Sequence, residues 1–275
     1  MKQIYVFAVI LLASLASGTL LYLWLHRKTR MRLMFLYQDN LAVDIISSII
    51  VYILYRQEVF RSWIILLIIM LIMVCGTAFV FTMIRFWRTP RRKSSAGPGQ
   101  VISPADGSII YVRKLEKGEI PVAVKENGYS RLEELAKTSL LDDLGWQVGI
   151  NMTPFDVHKN CAPISGRIVL NQHFNGKFWS LKDMKSQTEN ERNTYVIQND
   201  DTKVGVVQIA SRMVRRIDSY VKEGEMVDQG DWLGMIRFGS QVDVILPADY
   251  NIMVEHGEQV YAAQTIIAER NEDTH

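Results

Sequence analysis

Apolar positions crowd into the first third of the chain. Ile4 to Leu25 runs 22 residues without a charge, and Trp63 to Ile84 runs another 22. At 1.5 Å per residue each would form a helix of roughly 33 Å, enough to cross a hydrocarbon core of ~30 Å. Both predict transmembrane helices. Each is followed by basic residues: His26 to Arg32 reads HRKTRMR, and Arg85, Arg88, Arg91, Arg92 and Lys93 trail the second. Basic flanks stay on the cytoplasmic side, so both exits are assigned to the cytoplasm and the chain must cross back between them. Leu41 to Tyr55, LAVDIISSIIVYILY, is the segment suited to do so, extended back to about Leu33. It holds Asp44, expected near one membrane face or paired inside the bundle. Residues 1–88 therefore read as a membrane anchor of three helices, at 4–25, about 33–55 and 63–84. A secretory signal ending at Ser14–Ala16 is disfavoured, because the apolar run continues unbroken to Leu25.

The pattern changes after Arg85–Gln100, RFWRTPRRKSSAGPGQ, where interfacial aromatics, two prolines and small polar residues mark the way out of the bilayer; residues 89–100 are the linker. From Val101 to His275, short Val- and Ile-rich runs such as SIIYV, WQVGI, RIVL, TYVIQ and KVGVVQIA sit between Gly, Pro, Asn and Asp clusters. They predict a β-rich, α+β domain. One helix is expected within it, capped by Ser130 with Glu133 closing a capping box, and carrying Leu132, Leu135, Leu140, Leu141 and Leu144 as its apolar stripe. A weak repeat aligns Val221, Gly224, Glu225 and Val227 with Val254, Gly257, Glu258 and Val260. A G-E-x-V turn entering a strand looks like biotinyl- and lipoyl-type barrel sandwiches. Neither copy offers a lysine to modify, so the repeat speaks to fold and not to a carrier function.

Charge follows the same division. Residues 1–99 carry 12 Lys/Arg against 3 Asp/Glu, and the remainder 19 against 26, so the pI of about 8.4 reflects membrane flanks and gives no reason to expect nucleic acid. Cys75 and Cys161 provide neither a disulfide framework nor metal-ligand spacing, and no metal is expected.

Three polar segments carry chemistry. Val101–Ile109, VISPADGSI, holds Asp106; Asn151–Ile168, NMTPFDVHKNCAPISGRI, holds Asp156 and His158; Ile236–Val244, IRFGSQVDV, sets Gly239–Ser240 inside a strand-like run. Asp, His and Ser are the residue types of an activated nucleophile, yet an Asp in a P-A-D-G turn also serves as turn chemistry and a lone His as a structural residue.

In this order and wording the segments resemble the phosphatidylserine decarboxylase proenzymes of the shorter type, with SPADG, PFDVHxNxAP and GMIRFGS as hallmarks. FWRTPRR looks like the entry motif F-x-R-x-P-x-R of that family, with Trp87 and Thr89 as departures; ENERN, Glu189–Asn193, and QIASRMVRRI, Gln208–Ile217, are also similar. The resemblance spans Phe86 to about Ala268. It implies self-cleavage between Gly239 and Ser240, with Asp106, His158 and Ser240 as the processing triad, His158 as base and Asp106 as its orienter. It implies a pyruvoyl group made from Ser240, a ketone able to condense with a serine amine and accept the electrons released as carbon dioxide leaves. A glycine ahead of the serine suits this, since it lets the backbone strain and expose its carbonyl. Longer members carry a second histidine where this chain has Cys161, which is read mainly as a small buried filler and secondarily as a proton donor.

The expected activity is thus conversion of phosphatidylserine to phosphatidylethanolamine by a multi-pass cell-membrane protein with a cytoplasmic catalytic domain. Its partners would be a serine phospholipid and the membrane, with a homodimer allowed. The alternatives are decarboxylation of the archaeal ether lipid archaetidylserine, a non-enzymatic membrane adaptor, and a family member that never cleaves. His173 and His256 belong to no motif. Glu191, Arg192 and Asn193 could meet a headgroup or form a solvated loop, and Arg212, Arg215 and Arg216 could meet lipid phosphates.

Overall fold

The computed structural model describes residues 2–29, 32–58, 62–125, 128–137, 140, 145–175, 191–210, 216–237 and 240–271. It divides into two units, Met1–Trp87 and Arg88–His275.

The first unit is three helices, α1 (Lys2–Thr29), α2 (Leu33–Arg56) and α3 (Trp63–Trp87), each long and apolar enough to cross a membrane. α2 has the lowest mean hydropathy, 1.2 against 2.3 and 3.0, and its polar residues Asp39, Asn40, Asp44, Ser47 and Ser48 are buried. Ser14 donates to Asp44 Oδ1 at 3.0 Å, Asn40 donates to Thr19 at 3.0 Å, and Ser47 and Thr77 share a 2.7 Å hydrogen bond. Asp44 thus pairs inside the bundle. Gly18 makes this crossing close, since a Cβ there would run into the carboxylate of Asp44. Arg85 grips Asp39 with Nε and Nη2, a forked ion pair between α3 and α2.

The second unit is built of short strands. In chain order they are β1 (Gln100–Ile102), β2 (Gly107–Leu115), β3 (Val122–Lys125), β4 (Gly128–Arg131), β5 (Gly145–Met152), β6 (Lys159–Cys161), β7 (Gly166–Phe174) and β8 (Arg192–Gln198). Then come β9 (Lys203–Ala210), β10 (Ile217–Ser219), β11 (Met226–Val227), β12 (Trp232–Ile236), β13 (Ser240–Pro247), β14 (Tyr250–Ile252), β15 (Gln259–Val260) and β16 (Ile266–Arg270). Eight of them form a curled antiparallel sheet in the order β11-β7-β8-β9-β13-β5-β2-β15. Two three-stranded sheets, β10-β12-β6 and β1-β16-β14, and the β3-β4 hairpin complete it.

The large sheet is covered on both faces. Val242, Val244 and Leu246 of β13 enter the main core with Val148, Ile150, Val204 and Val206, whereas Ile245 packs with Leu132, Leu135, Leu140, Val196 and Val207 on the other side. Strands buried on both faces read as continuous apolar runs, as this sequence does. The G-E-x-V repeat has a structural counterpart. Gly224 and Gly257 both have positive φ, near +90°, and their N–H groups donate to Ile168 and Ile109 respectively, each at 2.8 Å. Ile168 and Ile109 donate back to the carbonyls of Glu225 and Glu258. Each glutamate then closes its own turn by accepting an N–H three residues upstream, from Lys222 and from Glu255.

Over the described residues the expected helix takes another form: Ser130 lies in β4 across from Ala123 and Glu133–Lys137 coils as a 3-10 turn, while residues 138–139 and 141–144, Leu141 and Leu144 among them, lie outside the described residues. The capping box fails because the hairpin takes its backbone: Leu132 N–H donates to the Pro121 carbonyl. The turn is then pinned by buried Glu134, which accepts from Arg192 Nε at 3.1 Å and Thr194 Oγ1 at 2.6 Å.

Candidate active site

Main-chain hydrogen bonds draw the three chemical segments together. Cys161 N–H donates to the Pro104 carbonyl at 2.9 Å and Ile102 N–H to the Pro163 carbonyl at 3.1 Å, tying the SPADG turn to the segment after His158. Ile236 N–H donates to the His158 carbonyl at 3.1 Å, and β12 pairs with β6, which brings in the strand that leads to the Gly-Ser step. Ser240 opens β13 and stands across from Met152 of β5 on one side and Ala210 of β9 on the other. Gly239 and the side chain of Ser240 lie outside what is described.

His158 is wholly buried, and its Nδ1 lies 2.9 Å from the Asp156 carbonyl. A carbonyl can only accept, so Nδ1 carries the proton and Nε2 is the basic nitrogen. Asp156 is rigid in turn: its carboxylate accepts from Thr153 N at 2.8 Å and Thr153 Oγ1 at 2.7 Å, closing the T-P-F-D turn. Asp106 is also wholly buried. Both of its oxygens are filled, Oδ1 by Arg92 Nη1 and the Ala262 N–H (2.9 Å), Oδ2 by Arg92 Nη2 (2.9 Å), with Arg88 Nη2 4.0 Å away.

Cys161 packs among Ile102, Ala262 and Ala263, and burial pushes its thiol up to about 12. That environment suits a filler and disfavours a proton donor.

Other expected residues fall elsewhere. Arg192 is a buried strand residue whose guanidinium joins Glu134 and stacks 3.9 Å from the Phe174 ring centre, so it belongs to no solvated loop. Glu191 accepts from Ile217 N–H at 3.0 Å and meets His173 Nε2 at 3.3 Å, and Asn193 donates to Asn171 at 2.9 Å. Arg216 pairs with Asp218 at 3.1 Å; Arg212 and Arg215 lie outside the described residues, and His256 is exposed.

Two groups of buried polar side chains escaped the sequence reading. Asp243 accepts from Gln241 Nε2 (2.8 Å), Gln147 Nε2 (2.7 Å) and the Tyr111 hydroxyl (2.7 Å), and burial pushes its carboxyl above the usual range. Asn160, Gln208 and Tyr195 form a second chain beside His158; burial pushes the Tyr195 hydroxyl up to about 12, so it stays a donor. Their signal was polar residues at inward strand positions, in WQVGI, VVQIA and SQVDV. A cavity of about 660 Å³ between Ala96–Gln100, Asn199, Asp201, Thr202 and Arg270 is lined by none of Asp106, His158 or Ser240.

The fold thus gathers a buried imidazole, an ion-paired carboxylate and the strand that begins at Ser240 into one domain. The family model for phosphatidylserine decarboxylase matches residues 79–268. The chain belongs to that family. It is 43% identical over 202 residues, 74% of this chain and 95% of the relative, to a Methanocaldococcus jannaschii protein named provisionally as an archaetidylserine decarboxylase proenzyme. It is 36% identical over 183 residues to the phosphatidylserine decarboxylase proenzyme of Pelobacter propionicus, covering 66% of this chain and 74% of the relative. To that of Burkholderia ambifaria it is 37% identical over 187 residues, 68% and 78%. No solved structure matches.

Proposed function

We propose that the chain is a membrane-anchored proenzyme that cuts itself between Gly239 and Ser240 and then decarboxylates a serine phospholipid to its ethanolamine counterpart. The observation that carries this is the meeting of the Asp106, His158 and Ser240 segments through their main chains, with His158 Nδ1 held against the Asp156 carbonyl. His158 Nε2 takes the proton of the Ser240 hydroxyl as its oxygen adds to the Gly239 carbonyl. Collapse breaks the peptide C–N bond and leaves an ester. Loss of the Ser240 α-proton then breaks the Cβ–O bond, giving Gly239 a free carboxylate; tautomerisation and hydrolysis with loss of ammonia leave a ketone at the new N-terminus. Asp106, clamped by Arg92 and the Ala262 N–H, anchors the turn bonded to Cys161 and so the segment that carries His158.

The surroundings fit a pyruvoyl group at Ser240: Met152 across the ladder is buried, and an amide donor, Asn160 Nδ2, lies against its sulfur at 3.7 Å. Such a group supplies an electrophilic ketone and an electron sink for loss of carbon dioxide. His158 and Asn160 would orient it, and the closed core would exclude water. The twin glycine turns support barrel-sandwich-like strands, and the basic flank Arg85–Lys93 supports a cytoplasmic domain.

The test is intact mass under denaturing conditions. The expected result is a C-terminal piece of 36 residues, Ser240–His275, with a blocked N-terminus, absent in Ser240→Ala. An uncut chain, with or without decarboxylase activity, overturns the reading. A second substrate, the ether-linked serine lipid, is favoured by the 43% identity to the relative named for it; parallel assays on vesicles of each lipid separate the two.

A further inference from the structure

Halfway along α2 lies Asp44, wholly buried in a helix long and apolar enough to cross a membrane. A carboxylate at that depth is costly unless a partner answers it. Asp39, nearer the start of the same helix, has its answer in the forked guanidinium of Arg85. Asp44 has no such counter-ion among the described residues; its carboxylate receives the Ser14 hydroxyl on Oδ1 at 3.0 Å, and Oδ2 receives nothing. Two more oxygens close by are buried without a hydrogen-bond partner among the described residues, Asn40 Oδ1 and the Tyr22 hydroxyl. Asn40 gives its NH₂ to Thr19 Oγ1 at 3.0 Å, which leaves its carbonyl edge for Asp44, its neighbour one turn along α2. A Cβ on Gly18 would run into Asp44 Oδ1 and fall 2.6 Å from Asn40 Oδ1, so both side chains crowd over one point of α1. Tyr22 follows Gly18 by one turn on the same face of α1, and its hydroxyl lies within electrostatic reach of Asp44.

Acceptor oxygens turned toward one another repel unless something positive stands among them. We propose that α1 and α2 bind one monovalent alkali cation, sodium, inside the helix bundle, held by Asp44 Oδ2, Asn40 Oδ1 and the Tyr22 hydroxyl oxygen. The charge count selects the ligand. Asp39 and Arg85 cancel each other, so the group carries the single negative charge of Asp44. One positive charge makes it neutral, whereas a divalent ion would leave a net charge buried in hydrocarbon. The donor set agrees: a carboxylate, an amide carbonyl and a phenol are hard oxygens, suited to hard cations and unsuited to softer transition metals. A proton on Asp44 would quiet one or two of these atoms, while a cation can draw on all three at once. Bound there, sodium would tie α1 to α2 at the crossing that Gly18 makes close. None of these residues takes part in the self-cleavage proposed above, so binding is expected whether or not the chain has cut itself.

The experiment uses the full chain purified in detergent, exchanged into choline chloride at neutral pH and titrated with sodium chloride at constant ionic strength. Radiolabelled sodium should bind at one ion per chain, and the melting temperature of the helical signal should rise with sodium concentration, as it does for any ligand that binds the folded state alone. Asp44→Asn removes the charge and keeps the shape; it should weaken sodium binding at least about 100-fold and abolish the sodium-dependent rise in melting temperature. Tyr22→Phe keeps the ring, removes one oxygen, and should weaken binding about fivefold. A folded wild-type chain that binds no sodium and melts at the same temperature in both salts overturns the proposal; a proton shared between Asp44 and Asn40 would give that result. A folded Asp44→Asn chain that binds sodium as the wild type does overturns it equally. Where Asp44→Asn does not fold, wild-type affinity in Tyr22→Phe overturns it.

Discussion

The surroundings of Asp106 and of Asp243 differ in kind, although neither side chain has exposed surface. Asp106 sits beside a full positive charge, the forked guanidinium of Arg92, and adds a single N–H. Asp243, on the face of β13 that carries Gln241, takes its hydrogen bonds from neutral groups, two amides and a phenol, with the Arg113 charge one step behind, on Gln147 at 2.7 Å. Burying a carboxylate demands either a counter-ion or a cage of donors, and the two solutions respond differently to change. The ion pair stands next to the residues assigned to chemistry, where charge must be held in place. The neutral cage stands in the sheet, where it fixes strand register between β2, β5 and β13.

Variants can break this contrast. The largest loss is expected for Arg92→Met, which leaves Asp106 buried without its counter-ion and should destabilise the chain by about 3–5 kcal/mol, read by denaturant unfolding in detergent. Arg92→Lys should recover only part, because an ammonium cannot fill both carboxylate oxygens as a fork does. Next comes Gly149→Ala. A Cβ there would lie 2.5 Å from the Tyr111 ring, pushing the hydroxyl away from Asp243, and should lower stability by about 1–3 kcal/mol in the same assay.

Asp243→Asn should cost about 1 kcal/mol at neutral pH, and its sharper readout is pH dependence. Burial holds the Asp243 proton more tightly in the folded chain than in the unfolded one. Its contribution is therefore full below the ordinary carboxylate range and is lost as pH rises through the raised value. The variant should flatten that falling limb in a series of melting temperatures against pH; an unchanged slope would remove Asp243 as its source. The smallest effect is expected for Cys161→Ala, which should leave cleavage and decarboxylation at wild-type rates, because a thiol held at about 12 is no useful acid.

Much of the architecture was legible because it rests on long, local patterns: uncharged runs of helical length, then short Val- and Ile-rich runs punctuated by turn residues. The partner of Asp44 was not legible, since only packing of α1 on α2 brings Ser14 to it. The described start of the expected helix, Glu133–Lys137, coils as a 3-10 turn because a capping pattern is local, while this turn is held by Pro121, Arg192 and Thr194. Arg92 read as a basic membrane flank, and nothing nearby hinted that its guanidinium would also meet the Ala262 carbonyl, 170 positions away. Asn160 was quoted within a motif and given no role; its meaning lies in Gln208 and Met152, which strand pairing alone supplies.

β13 is a central strand of its sheet, not an edge. It lies in the interior of the eight-stranded sheet, laddered to β9 on one edge and to β5 on the other, and the residues after it supply β14 and β16 to a sheet shared with β1. Scission ahead of Ser240 would thus sever the polypeptide without parting the fold, leaving two interleaved chains that migrate together in a native gel and come apart only once the sheet is melted.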